Sequence, residues 1–543
     1  MQFEKKYQGS STVRQSVGAT ALSFAPDVLR EPTYFVGSLG NHLGYREAMS
    51  ALHAVVKSDL RFKREDKTDY KAWVAEQEQY WLAEHLADMP DLKDDIATAR
   101  LKLDRMVKEN RAVLKPFHEA SWKFRMYMWT QDYDAKYILD PVITIHPDEL
   151  FFECFSQDES TYGKLSLDYN QFKELDTFSC GTTNVDYSDA LYTEFQKIRT
   201  YKNTELRVEP SGFTVATERE MDFKEEKIDL PDSWVRGFLQ VSTAMTLPAA
   251  SFDLHPMDLA NALFTLRRNK AKTSPRYIRF ELRPGQPIRM VFEPWQLTVD
   301  CPRTKYTGDE DRDIKLWGRR RLLVLERLLP LTDSVRVHLL GDGLPSFFVL
   351  KLGGMTFTLG MSGWTENDWS HAGQFNLLTA PVTYTQTELD RSYRALKSEW
   401  FRTTDELVSA TGYDRGTIHG LMSQHAREGN VIYDIHKGVY RARELSKDGI
   451  PLETLKWTSE EEQDAFVLDA TGQVSVTANR NEGKTHIVEG SVQDGNYTFT
   501  PRLFINQDQQ LIDAVCGCDK YKATGLKKGP CRHMLALRMH SGA

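Results

Sequence analysis

Three cysteines and one histidine near the C-terminus, Cys516, Cys518, Cys531 and His533, stand as Cys-x-Cys, a gap of twelve residues, then Cys-x-His. Three soft sulfurs and an imidazole are the usual complement of a tetrahedral structural zinc site, which is closed to water and performs no reaction. The elements that must position them can be read on either side. Residues i and i+2 of a strand share a face, so a strand running from Gln510 through Val515 predicts that Cys516 and Cys518 turn their sulfurs toward one Zn2+, each about 2.3 Å away. Gly529-Pro530 then breaks the chain, and Cys531-Arg532-His533 opens an apolar helical run through Met534, Leu535, Leu537 and Met539. Three of the six cysteines fall within sixteen residues, which speaks against unrelated buried thiols.

Cys-x-Cys followed by Cys-x-His resembles the SWIM zinc finger, over roughly residues 478–543. The flanks agree: a turn at Asp494-Gly495-Asn496, a strand from Tyr497 to Ile505, and Gly529-Pro530-Cys531 ahead of the last helix. The resemblance implies zinc, and it implies a surface that contacts nucleic acid or protein. Charge leaves both open. Within 513–543, Lys520, Lys522, Lys527, Lys528, Arg532 and Arg538 oppose only Asp513 and Asp519, although the whole chain carries −8. Such a basic tip can touch phosphates, or its lysines can simply offset an anionic zinc–thiolate centre.

A second module precedes the finger. Thr385–Glu388 and Thr403–Glu406 are both spaced as capping boxes, in which hydroxyl and carboxylate each satisfy a free N–H at a helix start. The second of these helices stops at Gly412. Asp414 caps the next, where Ile418, Leu421, Met422 and His425 recur at helical spacing. Val431–Ile435 and Val439–Arg443 pair as a hairpin across His436-Lys437-Gly438. This order resembles a winged helix-turn-helix over about residues 383–445. Its recognition helix would present Arg415, Thr417, His419, Ser423, Gln424 and Arg427, and its wing Lys437, Arg441 and Arg443. Asp414 and Glu428 cancel Arg415 and Arg427, however, and a neutral helix has little counterion-release drive.

Other motifs carry less. Ala478-Asn479-Arg480-Asn481-Glu482-Gly483-Lys484-Thr485 matches a loose phosphate-loop pattern, but a strand follows where a helix must, so a hairpin turn is expected. Gly37-Ser38-Leu39-Gly40 misses the dinucleotide spacing and reads as a structural turn. Asp368 and His371, beside Trp364 and Trp369, have no nucleophile or third ligand near them in sequence. Arg319-Arg320-Arg321 lie on an apolar helix from Leu316 to Leu328, where some must pair with acids. The run Asp309–Asp313 reads as a solvated loop.

With 543 residues, 41% hydrophobic, the chain can bury several cores. The expected class is α+β and multidomain: 1–225 with a helical segment over 46–130 and a helix from Asp189 to Thr200, a second α+β region over 226–382, the winged-helix module over 383–445, and a β-rich finger domain over 446–543. No apolar run reaches membrane-spanning length and no leader is evident, which predicts a cytoplasmic protein. Scattered Cys154, Cys180 and Cys301 suit reduced thiols.

In domain order and size the chain also resembles bacterial SWIM proteins associated with MoxR-type AAA+ ATPases and von Willebrand factor A domain proteins. That resemblance implies an adaptor subunit of an ATPase-linked complex. The expectation is therefore a non-enzymatic, zinc-binding interaction protein, with DNA binding through the winged helix and finger as the alternative.

Overall fold

The computed structural model describes residues 12–16, 19–24, 33–58, a short stretch within 98–106, 141–175, 178–184, much of 192–208, and 232–542 with interruptions at 272–274, 365–366, 371–374, 379–383, 446–459 and 508–509. Residues 60–138 form a compact unit of their own. Of the helical segment expected over 46–130, the helix His42–Val56 and helical residues within 98–106 are described. Most of the remainder lies outside the described residues, as do half of Asp189–Thr200 and His371.

The larger unit is built on an antiparallel sheet of eight strands. In spatial order these are Ala250–Leu254, Ser334–Leu339, Ser346–Leu352, Met355–Met361, Thr161–Asp168, Glu149–Phe155, Val142–Ile145 and Gly181–Asn184. Segments from both sides of residue 225 thus share one sheet, joined where Thr161–Asp168 pairs with Met355–Met361 (Leu167 opposite Met355, Gly163 opposite Leu359). Glu149–Phe155 is buried at every position, the pattern of a strand covered on both faces. One cover is His42–Val56, close enough that a Cβ on Gly163 would sit 3.2 Å from Val55 Cγ2. Another is the helix Asp232–Thr246, whose Trp234 and Phe238 meet Phe155 with ring centroids 5.4 and 4.8 Å apart.

Two further sheets complete the N-terminal and central parts. One has five strands in the order Thr12–Ser16, Ala19–Phe24, Asn203–Val208, Phe35–Leu39, Phe172–Leu175. The other has four, in the order Leu297–Lys305, Pro287–Phe292, Ile278–Leu282, Arg312–Leu316. This last strand corrects the reading of Asp309–Asp313 as wholly loop, because Arg312 and Asp313 pair with Leu282 and Glu281. The segment Arg319–Arg327 is a 3-10 helix, and its arginines separate by depth. Arg319 is buried and donates to the Tyr277 and Glu293 carbonyls, Arg321 is buried, and Arg320 is exposed.

Residues 384–445 fold as three helices and a small sheet. The helices are Gln386–Lys397, Thr404–Thr411 and Arg415–Arg427; the strands lie in the order Phe401–Thr403, Val439–Ala442, Val431–Asp434. Both capping boxes form, and Asp414 accepts from the Thr417 N–H. Leu389, Leu396, Leu407, Ile418, Leu421, Met422, Val431 and Tyr440 close the core, so the helical periodicity of the sequence is realised in packing.

The last part is a five-stranded sheet. Val474–Glu482, Thr485–Asp494, Arg502–Ile505 and Leu511–Val515 lie in order, with Tyr497–Phe499 pairing aside to Thr485–Asp494. Pro501, which has no N–H to donate, falls between the two short strands where one continuous strand was expected. The phosphate-loop match is a hairpin turn on Gly483 at φ +62°. The helix Arg532–Ser541 packs on this sheet through Met534, Leu535 and Leu537, each worth about 1.5–3 kcal/mol on burial. Against it lies Glu460–Ala470, a helix the sequence reading did not foresee. Among the described residues no helix is long and apolar enough to cross a membrane.

Candidate metal centre

The four ligand candidates converge. One donor atom from each of Cys516, Cys518, Cys531 and His533 lies within 4.8 Å of all the others, and all four residues are buried. His533 Nδ1 stands 3.8 Å from Cys516 Sγ and 4.0 Å from Cys531 Sγ. For metal–ligand bonds of about 2.0–2.3 Å, the edges of a tetrahedron are about 3.5–3.8 Å, so the donor set fits a zinc-sized ion with small adjustment.

Local structure differs from expectation in one respect. The strand ends at Val515, so Cys516 and Cys518 lie in the turn beyond it rather than on the strand. Gly517 between them has open space where a Cβ would be. Cys518 then caps the short helix Asp519–Thr524; burial pushes its thiol up, and the bond it accepts from the Tyr521 N–H at 3.4 Å acts against that rise. Cys531 occupies the capping position of Arg532–Ser541, so the first turn of that helix delivers His533, as the spacing predicts.

The imidazole is oriented from behind. Its Nε2 lies 2.9 Å from Asp494 Oδ2, and Phe499 stacks on the ring with centroids 4.1 Å apart. A carboxylate on one nitrogen makes that nitrogen the N–H and leaves Nδ1 as the lone pair facing the sulfurs. Asp494 also accepts from Arg532 Nη2 at 2.6 Å, while Arg532 Nη1 reaches Asp464 at 3.0 Å. The sequence reading had Asp494 only as a turn residue; nothing in its neighbourhood signals a role at the centre. The thiols are coupled: a bond from Cys531 draws Cys516 down, and the same bond, then burial, pushes Cys531 up to about 12. An ion that binds here must displace the thiol protons.

The side chains expected to meet nucleic acid or a partner are largely engaged within the molecule. Arg415 pairs with Asp405 at 2.6 Å, Thr417 donates to Asp414, His419 Nδ1 meets the Tyr440 hydroxyl at 2.7 Å, and Gln424 donates to Glu428. Burial lowers Arg427, with Glu462 acting against it. In the finger, Lys520 pairs with Glu461 at 2.6 Å, and Lys527 and Lys528 lie over the Trp364 ring at 5.6 and 5.4 Å. Lys522 remains two-thirds exposed, 4.0 Å from Asp519.

The hairpin 431–443 is the clearest departure from an exposed wing. Arg441 is fully buried and binds Asp148 through both terminal nitrogens (2.8 and 3.0 Å), Glu149 at 3.1 Å and Asp434 at 3.1 Å. Lys437 meets Asp148, Glu149 and Asp168, and Lys164 meets Asp434 at 2.9 Å. Arg443, also buried, holds Glu153 at 3.0 Å. Burial would raise the Asp148 carboxyl, but bonds from Arg441 and Lys437 outweigh it and hold it at about 2. His146, buried and beside Arg441, is pushed down to about 3 and stays neutral, its Nε2 donating to the Ala442 carbonyl at 2.7 Å.

No family model matches the chain, and no curated protein matches it. Among solved structures it is similar to proliferating cellular nuclear antigen from Entamoeba histolytica (11% identity, TM-score 0.29, 41% of this chain and 89% of that one) and to the PCNA2–PCNA3 complex from Sulfolobus tokodaii (11% identity, TM-score 0.29, 42% and 91%). Superpositions this loose carry no argument about fold or activity.

Proposed function

We propose that this chain is a non-enzymatic, zinc-stabilised interaction protein of the SWIM type, serving as an adaptor subunit of an ATPase-linked complex such as one formed by a MoxR-type AAA+ ATPase and a von Willebrand factor A domain protein. The observation that carries this reading is the donor set: three buried sulfurs and an imidazole nitrogen lie within 4.8 Å of one another, enough donors to complete the closed shell of a structural zinc without a substrate or a water. The metal then holds shape and does no chemistry. On this reading residues 384–445 are a winged helix-turn-helix used as a docking module. Engagement of Arg441, Lys437 and Arg415 by acids of the same chain supports a protein contact over a phosphate contact, because paired cations release few counterions on meeting a nucleic acid.

The test is affinity purification of the full-length protein from its native cell, with and without nuclease, alongside elemental analysis. One zinc per chain and nuclease-resistant recovery of an ATPase are expected. A protein that carries zinc but retrieves no partner, and binds duplex DNA with a steep loss of affinity in salt, would replace this reading with the DNA-binding one.

A further inference from the structure

The helix ends of this chain use glycine where the backbone turns left-handed: Gly412 at φ +76°, Gly429 at +77° and Gly542 at +64°. After Gln386–Lys397 the same task falls to Trp400, at φ +69°. A bulky residue is penalised there by its Cβ, so the position retains its indole against a conformational cost. The ring has visible work. Lys397 Nζ lies 3.6 Å from its centroid, His146 meets it edge-on at 5.6 Å, and it lines a cavity of about 490 Å³.

That cavity opens between the Pro147-Asp148 turn and residues 398–406. Its charged lining is Asp148, Glu399 and Glu406 against Arg402 alone, with Trp400 and Phe401 as its aromatic walls. Glu399 is two-thirds exposed with Arg402 at 3.6 Å, Glu406 accepts from the Thr403 N–H and hydroxyl, and thiol or hydroxyl nucleophiles do not line the space apart from Ser398. Nearby cations are matched within the chain: Lys397 by Glu444 at 2.9 Å, and Arg441 by Asp148, Glu149 and Asp434. Both aromatic walls already draw cations, Lys397 on Trp400 and Arg441 on Phe401 at 5.1 Å. Ring faces and a lining of three carboxylates to one guanidinium are the chemistry that selects a positive charge.

We infer that this pocket receives a lysine or arginine side chain from a partner protein, a proposal that rests on the interaction reading above. Trp400 and Phe401 would flank the cation, and Glu399 and Glu406 would supply its counter-charge. Polar groups of this kind at the floor of a concave site orient a ligand more than they hold it, so the pocket would set which basic segment docks.

Fluorescein-labelled hexalysine, titrated against the full-length protein and followed by anisotropy at about 0.15 M salt, tests this. Glu399→Lys and Trp400→Leu should each weaken binding about tenfold, Trp400→Phe should keep most of it, and Glu310→Lys, in the exposed acidic loop, should change it less than about twofold. Equal losses in all the charge variants would show general attraction and overturn the proposal, as would unchanged binding by a folded Trp400→Leu. Should Trp400→Leu fail to fold, Trp400→Phe and Glu399→Lys decide on the same criteria. If wild type retrieves partners and Glu399→Lys retrieves them in equal yield, the pocket proposal falls and the interaction reading stands. If wild type retrieves none, the interaction reading falls, and the pocket falls with it.

Discussion

The metal centre and the charge cluster around Arg441 both hold small pieces of chain in place, by opposite means. At the centre, four donors drawn from eighteen consecutive residues lie within 4.8 Å of one another and could hold an ion from outside, which would neutralise their thiolates. Around Arg441, cations and carboxylates 270 to 293 residues apart in sequence neutralise one another. A centre of the first kind can be emptied; a cluster of the second kind can only be broken by mutation or by protons. Each region is therefore vulnerable to a different insult.

The largest expected effect comes from removing a ligand. Cys531→Ala should abolish zinc retention and unfold the segment after about residue 478, since structural zinc contributes on the order of 10 kcal/mol in isolated fingers; elemental analysis and limited proteolysis would show it. Next is Arg441→Ala, which leaves Asp148, Glu149 and Asp434 underpaired and buried or half-buried. Breaking one partner of such a network costs about 3–5 kcal/mol, to be read as a drop in denaturation midpoint with zinc content unchanged. Retained stability in that variant would mean that the hairpin is held by its apolar contacts instead.

Asp494→Asn sharpens the comparison from the metal side. It should lower zinc affinity about 10–100-fold in a chelator competition, with a cobalt-substituted spectrum still tetrahedral, because the ligands remain and only the orientation of His533 is loosened. The most gradual effect is acid sensitivity at the charge cluster. His146 has a folded pKa of about 3 against an ordinary 6.5, so over that interval the unfolded chain binds a proton that the folded one refuses. Stability therefore falls as pH drops from 6.5 toward 3, by at most about 1.4 kcal/mol per pH unit from this group. Asp148, held at about 2, keeps its contribution until pH falls below the usual carboxylate range. The slope between pH 6 and 4 should be shallower in His146→Asn than in wild type; identical slopes would assign the acid sensitivity elsewhere.

The same contrast explains what was legible in the sequence. Cys516, Cys518, Cys531 and His533 announce themselves because ligands of one metal lie close in sequence and belong to rare residue types. The capping boxes at Thr385 and Thr403 are equally local, and both form. Arg441 gave no such sign: its acids lie near residue 148, and a basic residue on a hairpin strand looks the same whether it will face solvent or a carboxylate. The strand Arg312–Leu316 was hidden by its charges, which lie exposed on a sheet edge, Asp313 pairing with Arg283 just beyond the neighbouring strand. Asp494 was visible as a turn residue, but its bond to His533 depends on how the sheet folds back over the last helix.

One seam in the molecule has a consequence for how it is made. Thr161–Asp168 pairs at once with Glu149–Phe155 but finds its second neighbour only when Met355–Met361 exists, so during synthesis the middle of the large sheet must wait, with one edge uncovered, for nearly two hundred further residues. Fragments that stop short of residue 361 would leave that edge bare and should be insoluble.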